Sequence, residues 1–326
     1  MKYLITGGAG FIGSHLSEEF LKQGHDIISI DNFNNYYDPL LKRKNYASVQ
    51  NTAKENGCFY MLYEGDIRDK KIIEVIFSEH NIDGVVSLAA NAGVRPSIQD
   101  PLYYVDVNLM GLTNLLEASK KHNVKGFVFI SSSSVYGNNK KVPFSENDIV
   151  DNPISPYAAT KKAGELLCYT YHALYDMNIA CLRYFTVYGP RQRPDLAINK
   201  FTRLMLENQP IPMYGDGTTA RDYTFVSDIV DGTIKALNYI MQKDKHIYDI
   251  FNLGGSHPIS LRDLISVISI AVNKKAVINQ LPMQAGDVDI TYSDYSHAKE
   301  ILNYEPKIRI EEGIKQFVEW YMRTQR

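Results

Sequence analysis

The stretch TGGAGFIGSH at residues 6–15 follows directly on the apolar run YLIT (3–6), and its reading decides the fold. Gly7, Gly10 and Gly13 recur at every third position. Such a loop bends sharply, lets the backbone approach a pyrophosphate, and lets the next helix pack closely on the preceding strand. The helix expected to begin near Ile12, with Phe11 and Ile12 in its first turn, then meets the phosphates with its N-terminus. Glycines also make ordinary tight turns, so the flanking pattern carries the argument. A strand-like run precedes them, a helical period follows, and Asp31 closes the next apolar run (IISI, 27–30), 18 residues after Gly13. A carboxylate at that place binds an adenosine ribose diol and repels a 2′-phosphate, which predicts NAD rather than NADP, with Asn32 beside it in the same contact.

Outward from this unit, short apolar runs at 84–88 (GVVSL), 126–131 (GFVFIS) and 179–184 (IACLRY) alternate with stretches of helical period at 12–23, 69–79, 105–122 and 156–175. Apolar runs of this length read as strands buried on both faces, and the alternation predicts an α/β fold with a doubly wound parallel (Rossmann) sheet. After about residue 190 the order loosens. Short strands (211–214, 221–225, 248–253) mix with helices (198–208, 227–242, 260–272, 310–323), which predicts a smaller mixed α/β lobe. The expected division is an NAD-binding domain at 1–190 and a mainly substrate-binding lobe at 191–326, with later segments free to return to the first.

The 326 residues, 44% hydrophobic and 22% charged, exclude disordered and fibrous classes. A net charge of −2 without a long basic run gives no nucleic-acid surface, so a phosphate-bearing ligand must be held locally. The three cysteines, Cys58, Cys168 and Cys181, have neither C-x-x-C nor zinc spacing and predict free thiols, a reducing compartment and no metal site. The chain reads straight into a strand, and no apolar run approaches the length of a membrane span, so a cytoplasmic protein is expected.

A second chemical signal is SPYAATKKAGE at 155–165. Tyr157 and Lys161, four apart, share one helix face, and a cation beside a phenol favours the phenolate that accepts an alcohol proton. Upstream, SSSSVYG (131–137) ends the GFVFI strand, where it is either a polar loop or a set of hydroxyls beside the phenol. Asp66 and Ile67, after a strand at 58–64, suit either an adenine edge or, through Asp66, a cap for the helix at 69–79. Leu88, Ala89 and Ala90 put small residues beside the cofactor at the end of the fourth strand.

Together with LRYFTVYGPRQRPD (182–195) and GDGTTARDYTFVSDIVDG (215–232), these motifs resemble the extended short-chain dehydrogenase/reductases that act on nucleotide sugars, in order and over nearly the whole chain. The resemblance implies an N-terminal NAD lobe, a C-terminal lobe for a nucleoside diphosphate sugar, and a catalytic triad of Ser132, Tyr157 and Lys161. Relatives pair as homodimers through a four-helix bundle, which here implies helices 105–122 and 156–175. Dehydratases of the family carry an acidic pair before the VYG, and uronate decarboxylases commonly a Glu just before it. Ser133 and Ser134 stand there, so C4 epimerisation is the better expectation.

The segments DNFNNYYDPLLKRKN (31–45) and AGVRPS (92–97), together with Thr186, look most like UDP-glucuronate 4-epimerases. That resemblance implies a UDP-sugar substrate held by Arg95, Ser133, Ser134 and Thr186. Arg193 is then a charge partner for a sugar carboxylate, a diphosphate contact or a surface arginine. Arg221 suits a diphosphate clamp, since a planar fork matches phosphate oxygens. By family position Asn199, Tyr214 and Asp287 line the nucleotide pocket, and Thr291 guards the space around the C2 substituent. The alternatives are a UDP-glucose/UDP-galactose or UDP-N-acetylglucosamine 4-epimerase, a 4,6-dehydratase or reductase of the same fold, and a non-catalytic NAD-binding protein.

Overall fold

Side chains along the opening strand alternate between two interiors. Tyr3 and Ile5 enter one core and Leu4 the other, all of them buried. The computed structural model describes residues 1–242, 246–282 and 289–324. Its strands, numbered along the chain, are β1 (Lys2–Thr6), β2 (Asp26–Asp31), β3 (Tyr60–Glu64), β4 (Gly84–Ser87), β5 (Gly126–Ser132), β6 (Ile179–Tyr184), β7 (Thr186–Tyr188), β8 (Ile211–Tyr214), β9 (Ala220–Phe225), β10 (Tyr248–Leu253), β11 (Pro258–Ser260) and β12 (Ile278–Leu281).

Seven of them form one sheet in the order β3-β2-β1-β4-β5-β6-β10, with every neighbouring pair parallel. This is the doubly wound arrangement expected from the alternation of runs. One face packs Tyr3, Ile5, Val86, Val128 and Leu182 against the helices Phe11–Lys22 and Val226–Ile240. The other packs Leu4, Ile28, Val85, Phe127 and Cys181 against Lys70–Glu79, Gly111–Lys121 and Pro156–Tyr175. Beyond the main sheet, β7, β9 and β11 make a three-stranded mixed sheet, and β8 pairs with β12. Among the described residues no helix is long and apolar enough to cross a membrane.

Two elements differ from their sequence reading. Residues 248–253, expected in the smaller lobe, pair in register with β6 as the seventh strand of the main sheet, Tyr248 opposite Ile179 through Leu253 opposite Tyr184. The helix expected over 105–122 is a short α-helix (Pro101–Val105), a π-turn (Asp106–Met110) and an α-helix (Gly111–Lys121) in succession. The π-turn buries Asn108, whose amide then faces the interior.

The order of strands reverses about β1, whose neighbours are β2 and β4. In open parallel sheets the crevice beyond the strand ends at such a reversal is the place where ligands bind.

Candidate active site

A cavity of about 430 Å³ opens at that reversal, lined by Gly7, Phe11, Ile12, Gly13, Leu88 and Ala89 among others. Gly7 has φ +71°, and a Cβ there would meet the Ala89 backbone nitrogen at 3.2 Å. A Cβ on Gly13 would stand 2.2 Å from the Gly7 carbonyl oxygen. The third glycine is thus required by the closeness of helix to loop. The helix Phe11–Lys22 begins at Gly10 with no side-chain cap, which leaves its first amides for an anion.

Asp31 ends β2 as a buried carboxylate that accepts hydrogen bonds from the amides of Ala9 (3.2 Å) and Phe33 (2.9 Å). Lys42, equally buried, brings Nζ to 3.5 Å from Asp31 Oδ1 and donates to Asn34 at 3.0 Å. The acid therefore sits beside a cation that sequence reading did not single out.

Asn32 donates to Asp66 at 3.0 Å, and Asp66 receives Nε, Nη2 and the amide of Arg68, each at 2.9 Å. Burial raises the Asp66 pKa, but the Arg68 and Asn32 hydrogen bonds outweigh it and hold the carboxyl down to about 2. The cap of the helix Lys70–Glu79 is Asp69, which accepts from the Lys71 amide, so the capping alternative for Asp66 falls away. Ile67 lies buried at the cavity wall, and Ala90 lines the same wall. A bent glycine loop, an uncapped helix start and a buried carboxylate at the end of β2 together fit a dinucleotide.

The same cavity reaches Ser132, Ser133, Ser134 and Tyr157. Ser132 caps the 3₁₀ turn Ser133–Tyr136, accepting from the Ser134 amide at 3.1 Å. Tyr157 is in the first turn of Pro156–Tyr175, started by the cap of Ser155 on the Ala158 amide. Desolvation pushes its phenol above the ordinary value, while a hydrogen bond from Ser132 and the charge of Arg193 pull it down. Lys161 donates from Nζ to the Ile130 carbonyl at 2.6 Å and lies 5.9 Å from the Tyr157 ring centroid. Burial lowers its own pKa to about 8. Lys161 thus stands near the phenol ring with its ammonium turned to the end of β5, and the charge of Arg193 adds to what favours the phenolate.

Asn108, from the π-turn, bridges the Asn91 backbone (2.8 and 3.1 Å) and Thr160 Oγ1 (3.0 Å). It ties the loop after β4 to the helix that carries Tyr157 and Lys161. Nothing in a single apolar helix pattern points to it except an amide on the inward face.

Two further cavities continue the cleft. One of about 330 Å³ shares Ser133, Ser134, Thr186 and Arg193 with the first and adds Arg95, Arg221 and Thr291. The next, about 250 Å³, shares Arg95 and Arg221 and adds Lys200 and Tyr214. Arg95 stacks 5.5 Å from the Tyr214 ring centroid, and Arg221 donates to the Ala220 carbonyl at 2.9 Å. Arg193 lies 4.8 Å from the ring centroid of Tyr36 and grips Asp195 with two nitrogens, at 3.0 and 2.7 Å. Asn199 is buried behind this wall, its amide committed to the Gln192 carbonyl at 2.6 Å. Asp287 lies outside the described residues. Tyr36, Asp195 and Lys200 were not singled out from sequence, although the first two lie inside quoted motifs.

The cleft thus joins a dinucleotide cradle, a phenol with a neighbouring hydroxyl, and a run of arginines. The sequence profile of the GDP-mannose 4,6 dehydratase family matches residues 4–317. The UDP-glucuronate 4-epimerase of Thermodesulfobacterium geofontis is 45% identical over 320 residues, covering 98% of this chain and 95% of that protein. Among solved structures, the UDP-glucuronic acid 4-epimerase of Bacillus cereus in complex with UDP-glucuronic acid and NAD is similar at a TM-score of 0.91 and 37% identity, over 99% of this chain and 100% of that one. The UDP-glucose 4-epimerase of Thermotoga maritima with UDP-glucose is similar at a TM-score of 0.87 and 34% identity, over 100% of both chains.

Proposed function

The chain belongs to the GDP-mannose 4,6 dehydratase family, and from that premise we propose that it inverts C4 of UDP-glucuronate through a transient 4-keto sugar, with NAD as bound cofactor. The observation that carries this reading is the composition of the wall beside Tyr157. Ser133, Ser134 and Thr186 supply hydroxyls and Arg193 a guanidinium. Among the described residues of that cavity, the carboxylates are Asp31 and Asp66, both at the dinucleotide end. Elimination of water needs an acid or base near C5 and C6, and the serines supply neither, so epimerisation is favoured over dehydration within this family.

Gly7, Gly10 and Gly13 with the first-turn amides hold the pyrophosphate, and Asp31 holds the adenosine ribose. NAD supplies a hydride store for C4, so the reaction has no net redox change. The chain's own work is proton transfer and orientation. Tyr157 takes the proton of the C4 hydroxyl, Ser132 hydrogen-bonds the same oxygen, and Lys161 grips the nicotinamide ribose. When the keto sugar presents its other face, Tyr157 returns the proton. A 4-keto uronate is a β-keto acid prone to lose CO₂. Thr186, Ser133 and Ser134 keep the carboxylate where the C5–C6 bond cannot align with the ketone, and Arg193 anchors its charge. Arg95 and Arg221 clamp the diphosphate, with Tyr214 about the base.

A second copy of the chain is the partner. Leu102, Met110, Leu166 and Tyr169, on the helical segments 101–121 and 156–175, expose large apolar side chains that a two-fold bundle would cover. Three unpaired cysteines suit the cytoplasm.

The test is incubation of purified protein with UDP-glucuronate, UDP-glucose and UDP-N-acetylglucosamine separately, following C4 inversion by proton NMR. Conversion of UDP-glucuronate to UDP-galacturonate at much the highest kcat/KM is expected. Fast turnover of UDP-glucose with none of the uronate overturns the substrate, and a 6-deoxy-4-keto product overturns the reaction.

A further inference from the structure

Arg193 is already paired. Its Nε and Nη2 meet Oδ1 and Oδ2 of Asp195 at 3.0 and 2.7 Å, the two-point grip in which an arginine holds any carboxylate. Among the described residues lining the second and third cavities, Asp195 has the single carboxylate, against Arg95, Arg193, Lys200 and Arg221. A sugar carboxylate arriving at Arg193 is repelled by such a group unless the group moves. The pair is asymmetric in a way that permits this. The Arg193 side chain is 18% exposed and braced by the Tyr36 ring, whereas that of Asp195 is 46% exposed. The acid can turn to water while the arginine stays. Only Pro194 separates the two, and its fixed φ presets the pair.

We infer that Asp195 is an internal counter-ion that occupies Arg193 until the sugar carboxylate displaces it, and so sets how strongly the site distinguishes an acidic sugar from a neutral one. This rests on the uronate reading above. With a neutral sugar the Arg193–Asp195 pair persists and the partly buried cation keeps a partner, so such a sugar loses little. With a uronate one carboxylate replaces another, and the attraction gained is offset by the pair broken. Asp195 therefore acts through Arg193, as a positioning residue that moderates both affinity for the acid and retention of the equally acidic product.

The experiment compares Asp195→Asn, with Asp195→Ser as a second variant, against the parent holoenzyme, after NAD content and melting temperature show each to be folded. With Arg193 freed, KM for UDP-glucuronate is expected to fall with no gain in kcat. The ratio of kcat/KM for UDP-glucuronate over UDP-glucose should rise about fivefold or more, the range of a half-exposed ion pair. Inhibition by UDP should be unchanged, and in an Arg193→Ala background Asp195→Asn should no longer move the ratio. An unchanged or lowered ratio in both variants overturns the inference, since Asp195 would then serve only to hold Arg193 in place. A gain that survives Arg193→Ala, or that extends equally to UDP, also overturns it, because the effect would be a general field. If the parent converts no UDP-glucuronate, the uronate reading falls and takes this inference with it; if the parent converts it and the ratio stays put, only the inference falls.

Discussion

Arg183 and Glu165 meet inside the protein through two hydrogen bonds, Nε to Oε1 at 2.8 Å and Nη2 to Oε2 at 2.9 Å, with 1% of each side chain exposed. Glu165 is one turn past Lys161 on the helix that begins beside Tyr157. It also accepts from Ser131 Oγ at 2.7 Å, next to Ser132. Arg183 extends from β6 to the hydroxyl of Tyr136 at 3.0 Å, at the end of the 3₁₀ turn. One ion pair thus fixes the spacing between the segments that carry Ser132, Tyr157 and Lys161.

Removing the cation leaves a buried carboxylate held only by Ser131 and by Lys162 at 3.4 Å. Arg183→Met is expected to lower the unfolding free energy by about 3–5 kcal/mol, read from urea midpoints at unchanged slope, and to lower kcat with it. The double variant Arg183→Met/Glu165→Leu should recover much of that loss. A single variant within ~1 kcal/mol of the parent would show the pair to be dispensable.

Tyr157→Phe removes the one acid-base group at the reacting carbon while keeping the ring that packs at 6.3 Å from Tyr104. Turnover should fall by about 10² or more with NAD content nearly intact. The check is steady-state epimerisation alongside cofactor release on denaturation; parent-like turnover would remove Tyr157 from the mechanism.

At Asp31 the neighbour matters. Asp31→Ala takes away the ribose acceptor and leaves Lys42 buried without its carboxylate. NAD binding should weaken, and NADP should lose less or gain, since a freed cation attracts the 2′-phosphate its former partner repelled. Titration of cofactor-stripped protein with each dinucleotide decides it, and equal losses would count against the selecting role.

Asp66 gives a pH signature. Its folded pKa near 2 lies below the ordinary 3.8, so the unfolded chain binds the proton more readily. Its contribution to stability is fully present above about pH 4 and is lost as pH falls from there towards 2. Asp66→Asn should flatten melting temperature against pH in that window, by a modest amount because Asp66 and Arg68 remain 24% and 33% exposed. An unaltered slope would refute the assignment.

The cofactor half was legible because its demands are steep. The glycines at 7, 10 and 13 and the apolar runs at 3–6, 27–30 and 126–131 are each forced by backbone approach or burial on two faces. The helix Pro39–Asn56 escaped that reading because only Lys42, Asn45, Val49 and Ala53 of its 18 residues are buried, too few apolar side chains to make a period. Its signals were the ends, Asp38 capping the Leu40 amide, Pro39 in the first turn, and Gly57 with φ +65°. On the substrate side, Thr186, Arg193 and Arg221 were legible as residue types at one cleft. What Arg193 grips, and that Lys161 turns to Ile130, depend on short-range geometry that no periodicity encodes.

The late return of β10 to the edge of the main sheet bears on how the chain is made. The strand lies at 248–253, so a growing polypeptide cannot finish its sheet until both small sheets' first strands and the helix Val226–Ile240 have left the ribosome. Until then β6 is an unpaired edge, open to association with other chains. Cutting after residue 190 would consequently yield no self-sufficient cofactor module. The fragment would expose that edge and the apolar face that Val226–Ile240 covers, and insolubility on expression is its expected fate.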